Sequence, residues 1–134
     1  MSLFINKNDT FDITFAVAFK DNHMYVGDNE EQIKTQKNDV ENIKVYKITF
    51  RTPTYNDSTK ILNSSVNVNG DNITINPAEV RKARVITLLH SWDLTDDNGV
   101  PVEPSLENIN QLHPNIATVI MNKLDRALQD RNLL

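Results

Sequence analysis

The sequence predicts an α+β fold, with an N-terminal antiparallel β-sheet followed by a helical C-terminal half. The stretch "FDITFAVAF", from Phe11 to Phe19, places large apolar side chains at every second position, which is typical of a strand. Near the other end of the chain, apolar residues recur with the helical period in one stripe: Ile116, Val119, Ile120, Leu124, Ala127 and Leu128. Strand patterns come first and helix patterns later, an order that favours helices packed on or beside a sheet.

Two further strands are predicted in the first half. After a turn at "KDNH", the residues "MYV" begin a short return strand. The stretch "IKVYKITF", from Ile43 to Phe50, is rich in β-branched and aromatic residues, and its two faces are both partly apolar. That pattern favours a strand covered on both sides.

The segment Gly27–Asn42, "GDNEEQIKTQKNDVEN", separates these strands and is strongly polar. We predict that it has almost nothing to bury. It is either an exposed and mobile excursion or an arm that becomes ordered against a partner.

The second half begins with a short helix and a hairpin. Pro53 ends the preceding strand, and Thr54 is placed to cap a helix that ends near Asn63. In "SVNVNGDNITIN", apolar residues alternate on both sides of Asn69-Gly70-Asp71, which predicts a small hairpin.

Three helices are then predicted. Asn76 is the expected cap of the first, with Pro77 at its first position and Glu79 three residues after the cap. Its apolar sector extends to the end of the helix: Ala78, Val85, Leu88, Leu89 and Trp92. A short helix at Ser105–Leu112 should direct Leu106, Ile109 and Leu112 inward. The last helix begins at Pro114, with His113 as its cap.

Composition restricts the function classes. The 134 residues predict one domain, 1–134, in which 1–50 is mainly β and 51–134 mainly helical. There is no cysteine, so thiolate chemistry and disulfides are excluded. The net charge is −4 and the 14 basic residues are scattered, which argues against a nucleic-acid surface. No signal peptide or membrane span is predicted, so we expect an intracellular protein without a membrane partner.

The acidic bend, residues 93–103, is the first candidate site, because Asp93, Asp96, Asp97 and Glu103 crowd around Gly99. A calcium loop of the EF-hand type needs oxygen ligands at its positions 1, 3 and 5, glycine at position 6 and glutamate at position 12. Starting at Asp93 or at Asp96, the sequence does not satisfy that spacing. The residues favour a turn, since Asp, Asn and Gly tolerate positive φ.

No catalytic residue, cofactor site or metal site is predicted. The three histidines are far apart in sequence, so no helical metal pair exists. No Gly-x-Ser-x-Gly motif is present, and the three glycines all fall in predicted turns, which leaves no phosphate-binding loop. We therefore expect a protein that is not an enzyme.

Five residues are candidates for contacts with other proteins. Arg81 and Arg84 lie on the first turns of their helix, either with stems packed at the rim of the core or in contact with an acidic surface of another subunit. Trp92 is the single tryptophan, and it is either a core anchor or an interface residue. Leu133 and Leu134 follow the last charged residues, where a monomer gains little from them.

The order of these parts resembles the small tail-morphogenesis proteins of tailed bacteriophages, notably the tail assembly chaperone type. The resemblance spans residues 43–128 and lies in four motifs, which are F-R-x-P-T-x-x-D, W-x-L, D-x-x-G-x-P-V and S/T-x-E-N-I-x-x-L-x-P. It implies a non-enzymatic protein that binds other phage tail or neck proteins and self-associates. Such a protein either holds a tail component in the host cytoplasm during assembly or is built into the virion.

A second hypothesis comes from the acidic bend alone. It describes a small ion- or ligand-binding domain that uses residues 93–103, and it predicts that calcium raises the melting temperature.

Overall fold

The fold combines a four-stranded antiparallel sheet with helices on its two faces. The computed structural model describes residues 2–6 and 8–134. The strands are β1 (Thr10–Lys20), β2 (His23–Gly27), β3 (Lys44–Arg51), β4 (Val66–Asn69), β5 (Asn72–Ile75) and β6 (Leu89–Trp92). The helices are α1 (Glu30–Gln36), α2 (Tyr55–Asn63), α3 (Pro77–Leu88), α4 (Leu106–Asn110) and α5 (Pro114–Asp130).

The main sheet has the strand order β2-β1-β3-β6, and β4 and β5 form a separate hairpin. The α+β fold predicted from the sequence is confirmed, although the fourth strand of the sheet comes from the half that was expected to be mainly helical. In the part of the chain that the structure describes, no helix has the length and apolar character to cross a membrane.

The main core lies between one face of the sheet and helices α3 and α5. Phe11 is opposite Phe50, and Ile13 is opposite Ile48, so the period-two residues of β1 meet those of β3. The predicted stripe of α5 covers them, with Ile120, Leu124 and Leu128 fully buried. The helix prediction and its buried face are confirmed. Packing of this kind holds most of the helical structure in a domain of this size.

The opposite face of the sheet carries helix α1, and here the prediction for residues 27–42 is wrong. Ile33 is 0% exposed and Val40 is 5% exposed, and both pack on Ala16 and Ala18 of β1. The segment is polar, but it does bury apolar side chains. Two apolar side chains seven residues apart are enough to pack the segment on the sheet, because the small alanines of β1 leave room for them. Polar residues around them also attach the segment to the sheet. One example is the 2.7 Å ion pair between Lys20 and Asp39.

Strand β3 is not covered on both sides, contrary to the prediction. Ile48 and Phe50 are buried on the helix side, whereas Val45 on the other face is exposed. Helix α1 packs on β1 and β2 and leaves that face of β3 open.

The predicted helix over residues 77–92 is wrong in its last turn. Helix α3 ends at Leu88, and the chain continues as strand β6, in which Trp92 is opposite Ile48. A helical period and a short apolar strand cannot be told apart over four residues. The free edge of β3 offers hydrogen-bond partners to residues 89–92, which explains why the strand forms.

The helix starts follow the sequence closely. Thr54 and Asp57 form a capping box at α2, and Asn76 accepts a hydrogen bond from the amide of Ala78 at α3. Within the described part of the chain, Glu79 forms no reciprocal bond to that cap. At α5 the Nδ1 atom of His113 accepts from the amide of Asn115 at 3.1 Å, as predicted.

Helix α4 has the expected cap at Ser105, but it is shorter than predicted and differs in one side chain. Ile109 is buried and Leu112 packs at the edge of the core, whereas Leu106 is half exposed. Leu106 is therefore not an inward residue, contrary to the prediction.

Candidate functional site

An open groove of about 630 Å³ lies where the sheet meets the junction of α4 and α5. Its apolar surface comes from all sides of that junction: Phe15, Phe19, Tyr46, Trp92, Leu112 and Ile116. The rings of Phe15 and Tyr46 are 5.7 Å apart between centroids. Polar side chains surround this surface, namely Asn42, Lys44, Thr95, Asp97, Asn108 and Gln111. A groove of this size is within the range that proteins use to bind ligands or partner side chains.

The acidic bend forms one lip of the groove. The carboxylate of Asp96 accepts hydrogen bonds from the amides of Asn98 at 2.8 Å and Val100 at 3.0 Å. Gly99 has a φ of +76°, which glycine adopts without strain. The turn predicted from the sequence is confirmed, and both of these backbone bonds go to one oxygen, Oδ1 of Asp96.

The carboxylate of Asp93 also accepts a hydrogen bond from the backbone. Its Oδ1 atom accepts from the amide of Lys47 at 2.8 Å, which extends the pairing of β6 with β3. Among residues 2–6 and 8–134, no group of three or more His, Asp or Glu side chains is arranged to hold a metal ion.

Trp92 is a half-buried wall of the groove. Its Nε1–H donates to the carbonyl of Val102 at 2.6 Å and so fastens strand β6 to the far arm of the acidic bend. The ring packs at the edge of the main core as well as lining the groove. Trp92 is thus a structural anchor whose ring also lines the groove.

The second candidate surface is the hairpin β4–β5. Val66 is opposite Ile75, and Val68 is opposite Ile73, so these four aliphatic side chains share one face. The other face carries Asn67, Asn69, Asn72 and Thr74. Val68 is 70% exposed and Ile73 is 71% exposed. We call the four aliphatic residues the apolar face of the hairpin. It is amphipathic, and that face is turned to solvent.

The other predicted contact residues lie elsewhere. The guanidinium groups of Arg81 and Arg84 both bind the carboxylate of Asp125 at 3.1 Å, so these cations join α3 to α5 within the chain. Leu133 packs against the main core, so the expectation that a monomer gains little from it is wrong, whereas Leu134 is 58% exposed. None of these four residues lines the groove, so the structure does not bring them together with Trp92.

No family model matches the chain, and neither the curated proteins nor the solved structures gave a match. The surfaces themselves must therefore indicate the function.

The sequence contained a signal for the exposed face of the hairpin. In a hairpin that turns at Gly70-Asp71, residues equally distant from the turn are opposite one another, so the aliphatic residues had to share a face. The groove had no comparable signal, because its walls come from five separate segments of the chain.

Proposed function

We propose that this chain is a non-enzymatic bacteriophage tail or virion morphogenesis protein that acts by binding other proteins. It serves either as a structural component of the particle or as a tail assembly chaperone. Its partners are other phage tail or neck proteins and further copies of itself. It works in the host cytoplasm during assembly, or in the virion.

The observation that carries the binding function is the exposed apolar face of the hairpin. A two-stranded hairpin is at best marginally stable in water unless its apolar face is covered. Here Val68, Ile73 and Ile75 are all more than half exposed. A contiguous aliphatic patch on a projecting element is typical of a protein–protein contact.

The assignment to phage morphogenesis rests on the resemblance over residues 43–128, and the structure gives its motifs a physical role. In F-R-x-P-T-x-x-D, Arg51 binds Asp57, and Asp57 completes the cap of α2 with Thr54. In D-x-x-G-x-P-V, Asp96 and Gly99 make the turn. These motifs maintain the scaffold that presents the groove and the hairpin.

Mass spectrometry of purified phage particles tests this proposal and separates a component from a helper. A component is found in the particle at a fixed copy number. A chaperone is absent from it but captures tail or neck proteins from infected cells. A strict monomer that is absent from particles and captures no phage protein would contradict the proposal.

The groove supports a second candidate, a small-ligand site beside the acidic bend. Its volume is about 630 Å³, and apolar walls with a few polar groups are typical of such sites. If an ion or an ion-dependent ligand binds there, calcium raises the melting temperature. A melting temperature that does not change across millimolar calcium concentrations would exclude ion binding at this site.

A further inference from the structure

We propose that Asn69, at the tip of the hairpin β4–β5, is a site of spontaneous covalent modification by deamidation. The sequence contains the dipeptide Asn-Gly twice, at Asn69-Gly70 and at Asn98-Gly99. Glycine has no Cβ, so its amide can approach the side chain of the preceding residue with little steric hindrance. The inference goes beyond the proposed function and does not depend on it.

The reaction consumes only water, and its atoms balance. The backbone nitrogen of Gly70 loses its proton to base and attacks Cγ of Asn69. A bond forms between that nitrogen and Cγ, the bond from Cγ to Nδ2 breaks, and Nδ2 leaves as ammonia. Water then opens the five-membered succinimide ring at one of its two carbonyls. One opening gives aspartate, and the other gives isoaspartate, in which the main chain runs through Cβ and Cγ.

The amide of Gly70 is available for this attack. Gly70 and Asp71 form the two-residue turn, with Asn69 opposite Asn72. In such a turn the first residue accepts a bond from the fourth, which leaves the amide of the second without a partner. In the part of the chain that the structure describes, neither the amide of Gly70 nor the side chain of Asn69 makes a hydrogen bond. Both residues are exposed, so water and base reach them.

The other Asn-Gly pair is exposed as well, but it is held in place. The amide of Gly99 donates to the carbonyl of Asp96 at 3.0 Å. On either side of it, the amides of Asn98 and Val100 donate to Oδ1 of Asp96 at 2.8 and 3.0 Å. Attack by the nitrogen of Gly99 would break the first bond and rotate the peptide plane that the other two fix. The two sites therefore differ in the hydrogen bonding of the attacking amide.

The two segments also differ in how easily they open. Attack requires rotation about the Cα–C bond of Asn69, which disturbs its pairing with Asn72. That pair is the last one in a hairpin that belongs to no larger sheet, so it opens at low cost in free energy. The acidic bend is fastened at its base by the bonds from Trp92 to Val102 and from Val102 to Leu94.

Deamidation would change the hairpin in two ways. Either product adds a carboxylate two residues from Asp71, which is the one charged residue between Val66 and Ile75. Isoaspartate also lengthens the main chain by one atom, so position 69 can no longer keep its register with Asn72. The modified hairpin is more negative and more loosely paired next to its apolar face.

The test incubates the folded chain at mildly alkaline pH and compares its tryptic peptides with those of an unincubated sample by mass spectrometry. Trypsin separates the two sites, because Asn69 lies in the peptide 61–81 and Asn98 in the peptide 85–123. We expect Asn69 to deamidate roughly tenfold or more faster than Asn98, since attack at the second site breaks more hydrogen bonds. Labelling by isoaspartyl methyltransferase should increase in parallel.

The matched control is the same measurement on the chain unfolded in guanidinium chloride. Unfolding removes the hydrogen bonds at both sites, so Asn69 and Asn98 should then react at nearly equal rates. A difference that persists in the unfolded chain would come from the neighbouring side chains, and it would overturn the structural argument.

Two substitutions test the cause. N69Q keeps a side-chain amide but requires a larger ring, so the product at position 69 should disappear while reaction at Asn98 is unchanged. D96A removes the oxygen that accepts from the amides of Asn98 and Val100. It should raise the rate at Asn98 and leave the rate at Asn69 as it is. Circular dichroism checks that both variants are folded.

Equal rates at the two sites of the folded chain, or a faster reaction at Asn98, would overturn the inference. Absence of product at position 69, after an incubation in which the unfolded chain reacts, would also overturn it. Neither result bears on the proposed function, because capture of phage proteins is measured on freshly purified, unmodified chain.

Discussion

The guanidinium of Arg51 binds both carboxylate oxygens of Asp57, with Nη1 at 3.2 Å from Oδ2 and Nη2 at 3.1 Å from Oδ1. Nη2 also donates to the carbonyl of Thr87 at 2.9 Å. Asp57 is 5% exposed and accepts further bonds from the backbone and hydroxyl of Thr54. One side chain at the end of β3 therefore fastens the start of α2 and the end of α3, the helices that hold the base of the hairpin.

Replacing Asp57 by asparagine should lower the free energy of unfolding by about 1–3 kcal/mol, because the charged partner of Arg51 is lost from a buried position. Urea unfolding followed by circular dichroism measures this loss. The control is D71N at the exposed turn of the hairpin, where a change within about 0.5 kcal/mol is expected. Equal stability of the two variants would show that the Arg51 contact contributes nothing.

The same pair makes stability depend on pH. Burial alone raises the pKa of Asp57, but the hydrogen bonds from Arg51 and Thr54 outweigh burial and hold the pKa below its ordinary value of 3.8. A carboxyl group with a depressed folded-state pKa stabilises the fold above its unfolded pKa. That contribution is lost as the pH falls through the folded-state value.

We therefore expect the stability difference between the unchanged chain and D57N to be constant above about pH 5 and to shrink as the pH falls below about 4. Other carboxyl groups titrate in both proteins, so they cancel in the difference. Unfolding free energies measured across that range check the prediction. A difference that stays constant into strong acid would contradict it.

Local patterns predicted much of the fold. The alternation in β1, the capping box at Thr54 and the stripe of α5 each depend on neighbours within a few residues. Sequence alone is enough for such features, because the geometry of one strand or one helix fixes which side chains share a face. The turn at Asp96 belongs to the same class, since its hydrogen bonds stay within four residues.

Apart from Leu106 and the length of α4, the wrong predictions concern features that depend on contacts distant in sequence. Residues 89–92 form a strand because the edge of β3 is available to them, and Ile33 is buried because β1 presents Ala16 and Ala18 beneath it. Neither partner is near in sequence. The groove was missed for the same reason, since its walls meet only after the sheet and α5 have packed.

The burial of Ile33 gives a test of whether α1 belongs to the folded domain. I33A should free residues 28–42 from the sheet, since removing a buried isoleucine costs about 2–5 kcal/mol. Because this cluster is separate from the main core, we expect rapid proteolytic cleavage within α1 while the sheet and α5 remain folded. The control I75A removes an exposed isoleucine and should leave cleavage unchanged. Protection of α1 in I33A would mean that its polar contacts alone hold it.

The hydrogen bond from Trp92 to Val102 helps to hold the acidic bend in place as one lip of the groove. W92F keeps an aromatic ring in the wall but cannot donate to the carbonyl of Val102, so we expect a loss of about 0.5–1.5 kcal/mol in the free energy of unfolding. Circular dichroism is the appropriate measurement, since the substitution removes the single tryptophan fluorophore. Y55F, at a residue that is 89% exposed, is the matched aromatic control and should unfold as the unchanged chain does.

The bend should remain attached in W92F, because the amide of Val102 still donates to the carbonyl of Leu94 at 3.0 Å. The groove lip is then held by the backbone alone and becomes more mobile, while the hairpin is unaffected. Amide hydrogen exchange across residues 94–102 should therefore be faster in W92F than in Y55F, under conditions in which both variants are fully folded. Equal exchange in the two variants would show that the backbone bond alone holds the lip.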